Sequence, residues 1–205
     1  MQPRWMILAG AVIRAAFIAG RAAPQDIDPK EMDMAEAMKA WQEAATPGKH
    51  HAWLERFVGT WDVEMKMWME PGAAPMSSKG TTETKWLMPG RWIISTTKLA
   101  VPMLGKDLES VRILGYDNFR RKFVEVMVDN MNTHMVTSSG NRSKDLTSLV
   151  TYGPMNDPMT HEIGKTVKYA TRLVDDDTYK VEVYDLVIGE CDESKVLEFA
   201  LKRRK

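Results

Sequence analysis

The chain has 205 residues, of which 28 are basic and 28 acidic, and its length suits one domain with a terminal extension. Because the charges balance, no overall field favours nucleic acid or an anionic surface, and we expect no nucleic-acid partner. The single cysteine, Cys191, excludes an intrachain disulfide and a structural zinc site built on cysteines.

Residues 1–23 have the pattern of a signal peptide. The basic start "MQPR" precedes the apolar run "WMILAGAVIRAAFIAG", and Gly20 and Ala22 suit cleavage near Ala22 or Ala23. Arg14 interrupts the apolar run, which argues against a stable membrane span. We therefore expect a secreted or periplasmic protein. A cytoplasmic protein that keeps this extension is the alternative.

Residues 24–57 are predicted to form a helical extension. The pattern over residues 26–46 favours a helix whose apolar stripe contains Met34, Met38 and Trp41, and "TPG" ends it. An isolated helix of this length is marginal in water. We therefore expect the extension to close or flank the following domain and not to form a domain of its own.

A second, shorter helix is predicted in "KHHAWLERF". Trp53, Leu54 and Phe57 share one face of this helix. His50 and His51 are adjacent, so on a helix they point about 100° apart and cannot chelate one metal ion together. We interpret them as ordinary surface or lid histidines.

Residues 58–205 are predicted to form a mainly β, up-and-down antiparallel barrel of about ten strands. Apolar and polar side chains alternate from Trp61 to Met69, which is typical of a half-buried strand. Short turns join the strand-like runs, and closure into a barrel removes exposed edges. Such a barrel is wide enough for one small ligand, and a sandwich is the competing architecture. The nine further strand-like runs are 79–88, 91–100, 108–116, 121–130, 133–139, 146–152, 165–174, 178–188 and 195–202.

The two ends of the predicted barrel sequence carry a pair of residues that suits barrel closure. Gly59 lets the chain turn into the first strand, and Trp61 is placed to plug the barrel end. In the last strand, "KVLEFALKRRK", Leu201 and Arg203 share the inward face. This arrangement resembles lipocalin-like barrels, the calycins. The resemblance implies that the Arg203 guanidinium packs on the Trp61 indole.

Several spaced motifs carry a closer resemblance over about residues 49–203. They are "GTWDVEMKMWMEPGAAP", "GRW", "GYDN", "KFVEVMVDNMNTHM", "NDP" and "LEFALKRR". In this order they resemble the bacterial family catalogued as domain of unknown function 1579. The resemblance implies a lipocalin-like barrel, often behind a signal peptide, with no established activity. Pro89 and Met127 depart from the family pattern, and the Met127 difference implies that the interior surface varies among members.

Four polar residues near predicted strand ends are candidates for ligand binding: Arg91, Tyr116, Asp129 and Thr133. An arginine and an aspartate inside a barrel can orient a ligand's carboxylate or hydroxyl between apolar walls. The alternative is turn chemistry or a purely structural ion pair, because aspartate and asparagine are common in turns.

The favoured function is a non-enzymatic carrier of a small, mostly apolar molecule. No nucleophile elbow or glycine-rich phosphate loop occurs in the sequence. An isomerase or hydrolase that uses Asp129 with Arg91 or Tyr116 is the rival interpretation. A third is an exported interaction protein whose barrel is filled with side chains. The sequence does not indicate the oligomeric state.

No cofactor is predicted, although two remain as alternatives. His134 or His161 is a candidate axial ligand for haem, because related haem-binding barrels use one histidine. Met155, Met159 and His161, or Met131, His134 and Met135, form soft sets that suit copper(I). The favoured interpretation is that methionines in strands fill the core as flexible apolar side chains.

Overall fold

The computed structural model describes residues 33–205 except residues 71, 103–104, 159 and 187–192. The signal-peptide-like segment, the start of the predicted helix and Cys191 lie outside the described residues. No helix in the described part of the chain is long and apolar enough to cross a membrane. The chain divides into two compact units, with the boundary between Trp41 and Gln42.

Helix α1 covers Met34–Ala45 and ends where "TPG" predicts. Its apolar stripe, Met34, Met38 and Trp41, is more than half exposed, and Trp41 is 68% exposed. The expectation that the extension closes or flanks the barrel stays a prediction.

A short helical segment leads into the first strand. Helix α2, Lys49–Ala52, continues directly into a 3-10 helix, Trp53–Phe57, which confirms the second predicted helix. Trp53, Leu54 and Phe57 are all buried in the core, as their shared face predicts. We call residues 49–57 the helical plug.

Ten strands form one closed antiparallel barrel, which confirms the predicted fold class. Each strand pairs with its neighbours in sequence, and β1 also pairs with β10. The strands are β1 Gly59–Met67, β2 Met76–Met88, β3 Trp92–Leu99, β4 Leu108–Asp117, β5 Lys122–Asp129, β6 Val136–Arg142, β7 Ser148–Asp157, β8 Glu162–Asp175, β9 Thr178–Leu186 and β10 Glu193–Arg203.

The period-two pattern decides which side chains face inward. In β1, Trp61, Val63 and Met65 are buried, whereas Asp62 and Glu64 between them are exposed. Successive side chains of a strand point to opposite faces of the sheet, so the alternation read from the sequence gives the correct inward face.

One predicted turn lies a few residues from its expected place. The strand-like run predicted before "GPMNDP" ends at residue 152, but β7 runs through Pro154 to Asp157, and the described turn residues are 158, 160 and 161. Strand β6 pairs with β7 only along 149–152, so Pro154 lies beyond that ladder. A proline is tolerated there because no hydrogen bond to β6 is required of its nitrogen.

The up-and-down order gives the barrel two different ends. At the plugged end, β1 begins, β10 finishes and the β2–β3, β4–β5, β6–β7 and β8–β9 connections turn. At the far end lie the β1–β2, β3–β4, β5–β6 and β7–β8 connections. The buried aromatic residues concentrate at the plugged end, where Trp53 and Phe57 contact Phe123 and Tyr179.

Candidate functional site

The plugged end is closed by Trp61 and Arg203, which pair directly across β1 and β10. The Arg203 guanidinium carbon lies 4.1 Å from the centroid of the Trp61 ring. The Trp61 indole N–H donates to the carbonyl oxygen of Phe57 at 2.9 Å. Trp61 is only 1% exposed. The indole therefore joins the first strand to the helical plug.

Arg203 also ties the chain at the entry to the barrel. Its Nη1 and Nη2 donate to the carbonyl oxygens of Val58 and Arg56 at 2.7 and 2.9 Å. Gly59 has φ 140°, and a Cβ there would lie 2.5 Å from Nη1 of Arg203. Only glycine suits that backbone conformation and that close approach. The neighbouring Arg204 instead contacts the exposed Asp62.

Aromatic packing fixes Tyr116 at the same end. The His50 ring stacks on Tyr116 with centroids 4.2 Å apart, and Phe123 meets Tyr116 edge to face at 5.0 Å. His51 also lies against Tyr116, at 5.7 Å. Tyr116 therefore packs between the helical plug and the barrel wall.

The two adjacent histidines, predicted as ordinary surface or lid residues, pack in the helical plug against the barrel and do not lie free on the surface. His51 is 6% exposed, and its Nδ1 accepts a hydrogen bond from the Gly48 backbone N–H at 3.0 Å. Burial lowers the pKa of His51 and, together with the positive charge of Arg91, outweighs a hydrogen bond to the Tyr116 backbone that raises the pKa. Burial also lowers the pKa of His50, with a smaller effect from Arg142. Both rings pack because the short helix turns them toward β4.

The four candidate ligand-binding residues lie in two pairs at opposite ends of the barrel. Arg91, exposed in the β2–β3 turn, and Tyr116 lie at the plugged end, whereas Asp129 and Thr133 lie at the far end. Asp129 pairs with Ser110 of β4, six positions before Tyr116. At about 3.3 Å per residue the two side chains are roughly 20 Å apart along the strand. The geometry therefore does not support a catalytic pairing of Asp129 with Arg91 or Tyr116.

Asp129 and Thr133 belong to the β5–β6 connection. Asp129 Oδ1 accepts hydrogen bonds from the backbone N–H groups of Met131 and Asn132, both at 2.8 Å. Thr133 is exposed. This is the turn chemistry that the sequence left open as the alternative for aspartate at strand ends.

The two histidines considered for haem or copper also lie in connections at the far end. His134 is in the β5–β6 connection, and His161 is exposed in the β7–β8 turn with φ 60°. Met155 lies in β7, and Met159 is outside the described residues. Among the residues described, no three His, Cys, Asp or Glu side chains form a group that could hold a metal ion.

The interior instead contains a polar cluster that the sequence-based candidates missed. We call it the central polar cluster, and it consists of Arg112, Glu125, Ser138, Thr151 and Tyr169. Arg112 Nε donates to Glu125 Oε2 at 2.6 Å, and Arg112 Nη2 contacts the same oxygen. The hydroxyls of Ser138 and Thr151 donate to Glu125 Oε1, the latter at 2.7 Å.

The cluster stabilises an ionised carboxylate inside the barrel. Burial raises the pKa of Glu125, but the charge of Arg112 and the hydroxyl donors of Ser138 and Thr151 outweigh burial and hold the pKa below its ordinary value. The Glu125 side chain is 9% exposed, whereas that of Arg112 is 22% exposed. Solvent therefore reaches the arginine side of the pair.

Tyr169 completes the cluster from β8. It pairs with Thr151 of β7, so its ring is on the same inner face. Its hydroxyl is buried and has no hydrogen-bond partner among the described residues. Burial, together with the negative charge of Glu125, raises the pKa of Tyr169 to about 12. At neutral pH this hydroxyl is therefore protonated.

Strand parity is the sequence signal that identifies the pair. Arg112 is two residues before Leu114, and Glu125 is two residues after Phe123; Leu114 and Phe123 are both buried. Residues two apart on a strand share a face, so both charges point inward. A search for charged residues on inward positions, in place of strand ends, would have found them.

Apolar side chains on β9 and β10 form part of the wall. Val181, Leu197 and Phe199 occupy inward positions and pack on the core, yet they are only partly buried. Nearer the plugged end, Tyr179 and Leu201 on the same two strands are almost fully buried. The interior is therefore more tightly sealed toward the plug than around its middle.

A second charged group lies toward the far end. The Lys165 ammonium is 2.8 Å from both Asp157 and Asp185. Burial opposes the charge of Lys165, but its hydrogen bonds to the two carboxylates raise its pKa. These residues link β7, β8 and β9 next to the far-end connections.

Outside the barrel, a groove of about 580 Å³ lies beside the helical plug. It is lined in part by Gly48, His51, Glu55 and Trp86. Two polar pairs in this lining are already formed, because Trp86 Nε1 donates to Glu55 at 2.7 Å and Gly48 donates to His51. The interior instead contains a buried hydroxyl, that of Tyr169, with no partner among the described residues, and we therefore take the interior as the candidate site.

The fold and the site define a closed ten-stranded antiparallel β-barrel protein with an ion pair in its interior. The chain belongs to the family described as "Protein of unknown function (DUF1579)", which matches residues 46–203. This confirms the resemblance predicted from the spaced motifs, and the closed barrel is consistent with a lipocalin-like description.

The solved structures that are similar to the chain include the following two. The crystal structure of Rv2717c from M. tuberculosis has a TM-score of 0.53 and 14% sequence identity, and the match covers 78% of this chain and 100% of that chain. At this identity the likeness shows the fold alone. A redesigned β-barrel, b11L5F_LGL, is 12% identical with a TM-score of 0.36, and the match covers 77% of this chain and 96% of that chain. A comparison with proteins of curated function finds no match.

Proposed function

We propose that this protein is a non-enzymatic binding protein that holds a small, mostly apolar molecule inside its barrel. The observation that carries the proposal is the position of Arg112, which faces the interior and is nevertheless 22% exposed. Solvent-accessible polar surface at this inward position shows that side chains do not completely fill the middle of the barrel. Small-molecule sites typically combine apolar walls with a few placed polar groups.

The partly buried wall residues supply the apolar part of such a site. Val181, Leu197 and Phe199 still have surface to cover. Burying about 200 Å² of apolar ligand surface is worth about 5 kcal/mol, before the cost of immobilising the ligand. After that cost the walls alone bind a small apolar molecule only weakly.

The interior carboxylate does not suit general base catalysis. Each Glu125 oxygen accepts two contacts, from Arg112 at Oε2 and from the two hydroxyls at Oε1. A base needs a lone pair directed at the substrate proton and a pKa near the operating pH. Glu125 has its oxygens engaged and its pKa lowered, which supports binding over catalysis.

We also propose that the protein acts outside the cytosol, on the strength of the signal-peptide-like residues 1–23. N-terminal sequencing of the protein from an exported fraction tests this. A start near Ala23 or Pro24 supports export with cleavage. An intact Met1 in that fraction refutes cleavage, and purely cytosolic protein refutes export.

Titration with N-phenylnaphthylamine, an uncharged apolar fluorophore, tests interior binding. We expect saturable binding with one dye per chain. Val181→Trp places a larger side chain in the barrel interior. It should weaken dye binding at least about tenfold, because the added ring occupies space that the dye would fill. The matched control is Val174→Trp, at a position on β8 that is 58% exposed.

The comparison requires folded variants, which near-ultraviolet circular dichroism checks. Leu197→Phe is a smaller change at another wall position and replaces Val181→Trp if that variant does not fold. Dye binding that is unchanged in the folded interior variants, or lost equally in Val174→Trp, would show that the dye binds elsewhere and refute the proposal.

A further inference from the structure

The central polar cluster offers hydrogen-bond donors but has its acceptors occupied. An ionised carboxylate has about four acceptor positions. For Glu125, Arg112 occupies Oε2 through two nitrogens, and Ser138 and Thr151 occupy Oε1. A ligand group that needs an acceptor therefore finds the carboxylate already satisfied.

Two donors in the cluster, Arg112 Nη1 and the Tyr169 hydroxyl, do not contact Glu125. Arg112 reaches Glu125 through Nε and Nη2, and its Nη1 group has no acceptor within the described part of the protein. The Tyr169 hydroxyl is buried and likewise has no partner among the residues described. The missing partner of the buried Tyr169 hydroxyl is costly, and a partner supplied by a ligand would remove that cost.

The charge of the cluster further restricts the ligand. Arg112 and Glu125 form an ion pair with no net charge. An anionic head group next to Arg112 would also be repelled by the nearby Glu125, and a cationic head group would be repelled by Arg112. In both cases the charge would lose its hydration without gaining a free countercharge, which is unfavourable. An uncharged acceptor avoids these penalties.

We propose that the central polar cluster binds the carbonyl oxygen of an uncharged, mostly apolar molecule, such as a ketone, an ester or an amide. Arg112 Nη1 and the Tyr169 hydroxyl donate to that oxygen, and Glu125 positions Arg112. The apolar body of the ligand packs on Val181, Leu197 and Phe199. This inference rests on the proposed interior binding and specifies the chemistry of the bound group.

Displacement of N-phenylnaphthylamine by four ten-carbon compounds tests the proposal. The compounds are methyl octyl ketone, decane, decanoate and decylamine, which share an apolar body and differ in the polar group. We expect the ketone to displace the dye at about a tenfold lower concentration than decane, the gain typical of a buried hydrogen bond. We expect decanoate and decylamine to be weaker than the ketone.

Tyr169→Phe removes one donor and keeps the ring. We expect it to lower the affinity for the ketone by about threefold to tenfold and to leave that for decane unchanged. The matched control is Tyr152→Phe, because Tyr152 is on neighbouring β7 and is 49% exposed. The double change Arg112→Met with Glu125→Met removes the pair without stranding a charge, and we expect it to abolish the preference for the ketone.

The outcomes separate this inference from the function on which it rests. If dye and decane bind but the ketone is no better than decane, or decanoate is tighter than the ketone, the carbonyl site is refuted and interior binding stands. An unchanged preference for the ketone in Tyr169→Phe and in the folded double variant also refutes the site. If the dye does not bind at all, the proposed function itself fails.

Discussion

Two inward-facing arginines at different heights in the barrel are used in opposite ways. At the plugged end, Arg203 covers the Trp61 indole and donates to two backbone carbonyl oxygens. In the middle, Arg112 directs two nitrogens at a single oxygen of Glu125, and its Nη1 has no acceptor among the described residues. The first arrangement satisfies the chain's own groups and seals the barrel, whereas the second leaves donors for another molecule.

The same contrast holds for the residues around each arginine. Near Arg203, Trp61 and Tyr179 meet edge to face with centroids 4.7 Å apart, and both are almost fully buried. Near the middle, Val181 and Phe199 on the adjacent strands are only partly buried. We therefore expect substitutions at the plugged end to change stability and those in the middle to change binding.

Replacing Trp61 should have the largest effect on stability. Trp61→Ala leaves a cavity in a packed region and removes the bond to Phe57, and we expect a loss of about 3–5 kcal/mol in the free energy of unfolding. Denaturant melts measure this loss. Trp41→Ala is the matched control, since Trp41 is 68% exposed and its loss should cost less than about 0.5 kcal/mol. Similar melts for the two variants would contradict a sealed plugged end.

Replacing Glu125 should have the next largest effect. Glu125→Gln leaves the Arg112 charge inside the barrel without its countercharge, and we expect a loss of about 3 kcal/mol at neutral pH. The matched control is Glu109→Gln, because Glu109 pairs with the exposed Lys98 on the outside of the barrel. That change should cost less than about 1 kcal/mol.

The pH dependence of the same variant tests the ionisation of Glu125. Its pKa is lowered in the folded protein from the ordinary value of 4.5, so the unfolded chain binds the proton first as pH falls. The stability that Glu125 contributes is therefore present above pH 4.5 and is lost as pH falls through the folded pKa. The native protein should lose stability below pH 4.5 more steeply than Glu125→Gln; parallel curves would contradict an ionised interior carboxylate.

Replacing each of the two consecutive arginines at the end of β10 by lysine should have a smaller effect on stability, and the two substitutions can be compared directly. Arg203→Lys keeps the charge but loses the planar group that stacks on Trp61 and reaches two carbonyl oxygens, and we expect a cost of about 1–2 kcal/mol. Arg204→Lys affects only the pair with Asp62, whose side chains are both more than half exposed, and should cost less than about 1 kcal/mol. If denaturant melts show Arg204→Lys to be the costlier change, the stacking at Trp61 does not stabilise the barrel.

Period-two alternation made most of the fold predictable. Ten strand-like runs, short turns and the inward parity of Trp61 on β1 required only local patterns, and all ten strands are present. The turn near Pro154 was misplaced because the reach of β6 along β7 depends on pairing between strands, which local composition does not reveal.

The candidate site was much less predictable. Asp129 and Thr133 have turn-like neighbours, and the local sequence does not show that a strand separates them from Tyr116 by roughly 20 Å. Arg112 and Glu125 look like ordinary exposed charges unless strand parity is followed through each strand. The convergence of Ser138, Thr151 and Tyr169 on them requires the register of β5 to β8.

The smallest predicted effect concerns His51 in the helical plug. Burial and the nearby charge of Arg91 lower its pKa from the ordinary value of 6.5, so the unfolded chain binds a proton before the folded protein does. The stability that neutral His51 contributes is therefore present above pH 6.5 and declines as pH falls through the folded pKa. His51→Asn keeps an acceptor for the Gly48 N–H and should make stability between pH 7 and pH 5 depend less on pH.

The slope in His51→Asn should decrease without vanishing, because the pKa of His50 is also lowered, by burial and by the charges of Arg142 and Lys49. Thermal melts at several pH values measure the slope. His161→Asn is the matched control, since His161 is exposed in the β7–β8 turn. A slope that changes as much in His161→Asn as in His51→Asn would show that burial in the plug does not set the response. A slope that changes only in His51→Asn would assign the acid sensitivity to the plugged end, separate from that of Glu125 at lower pH.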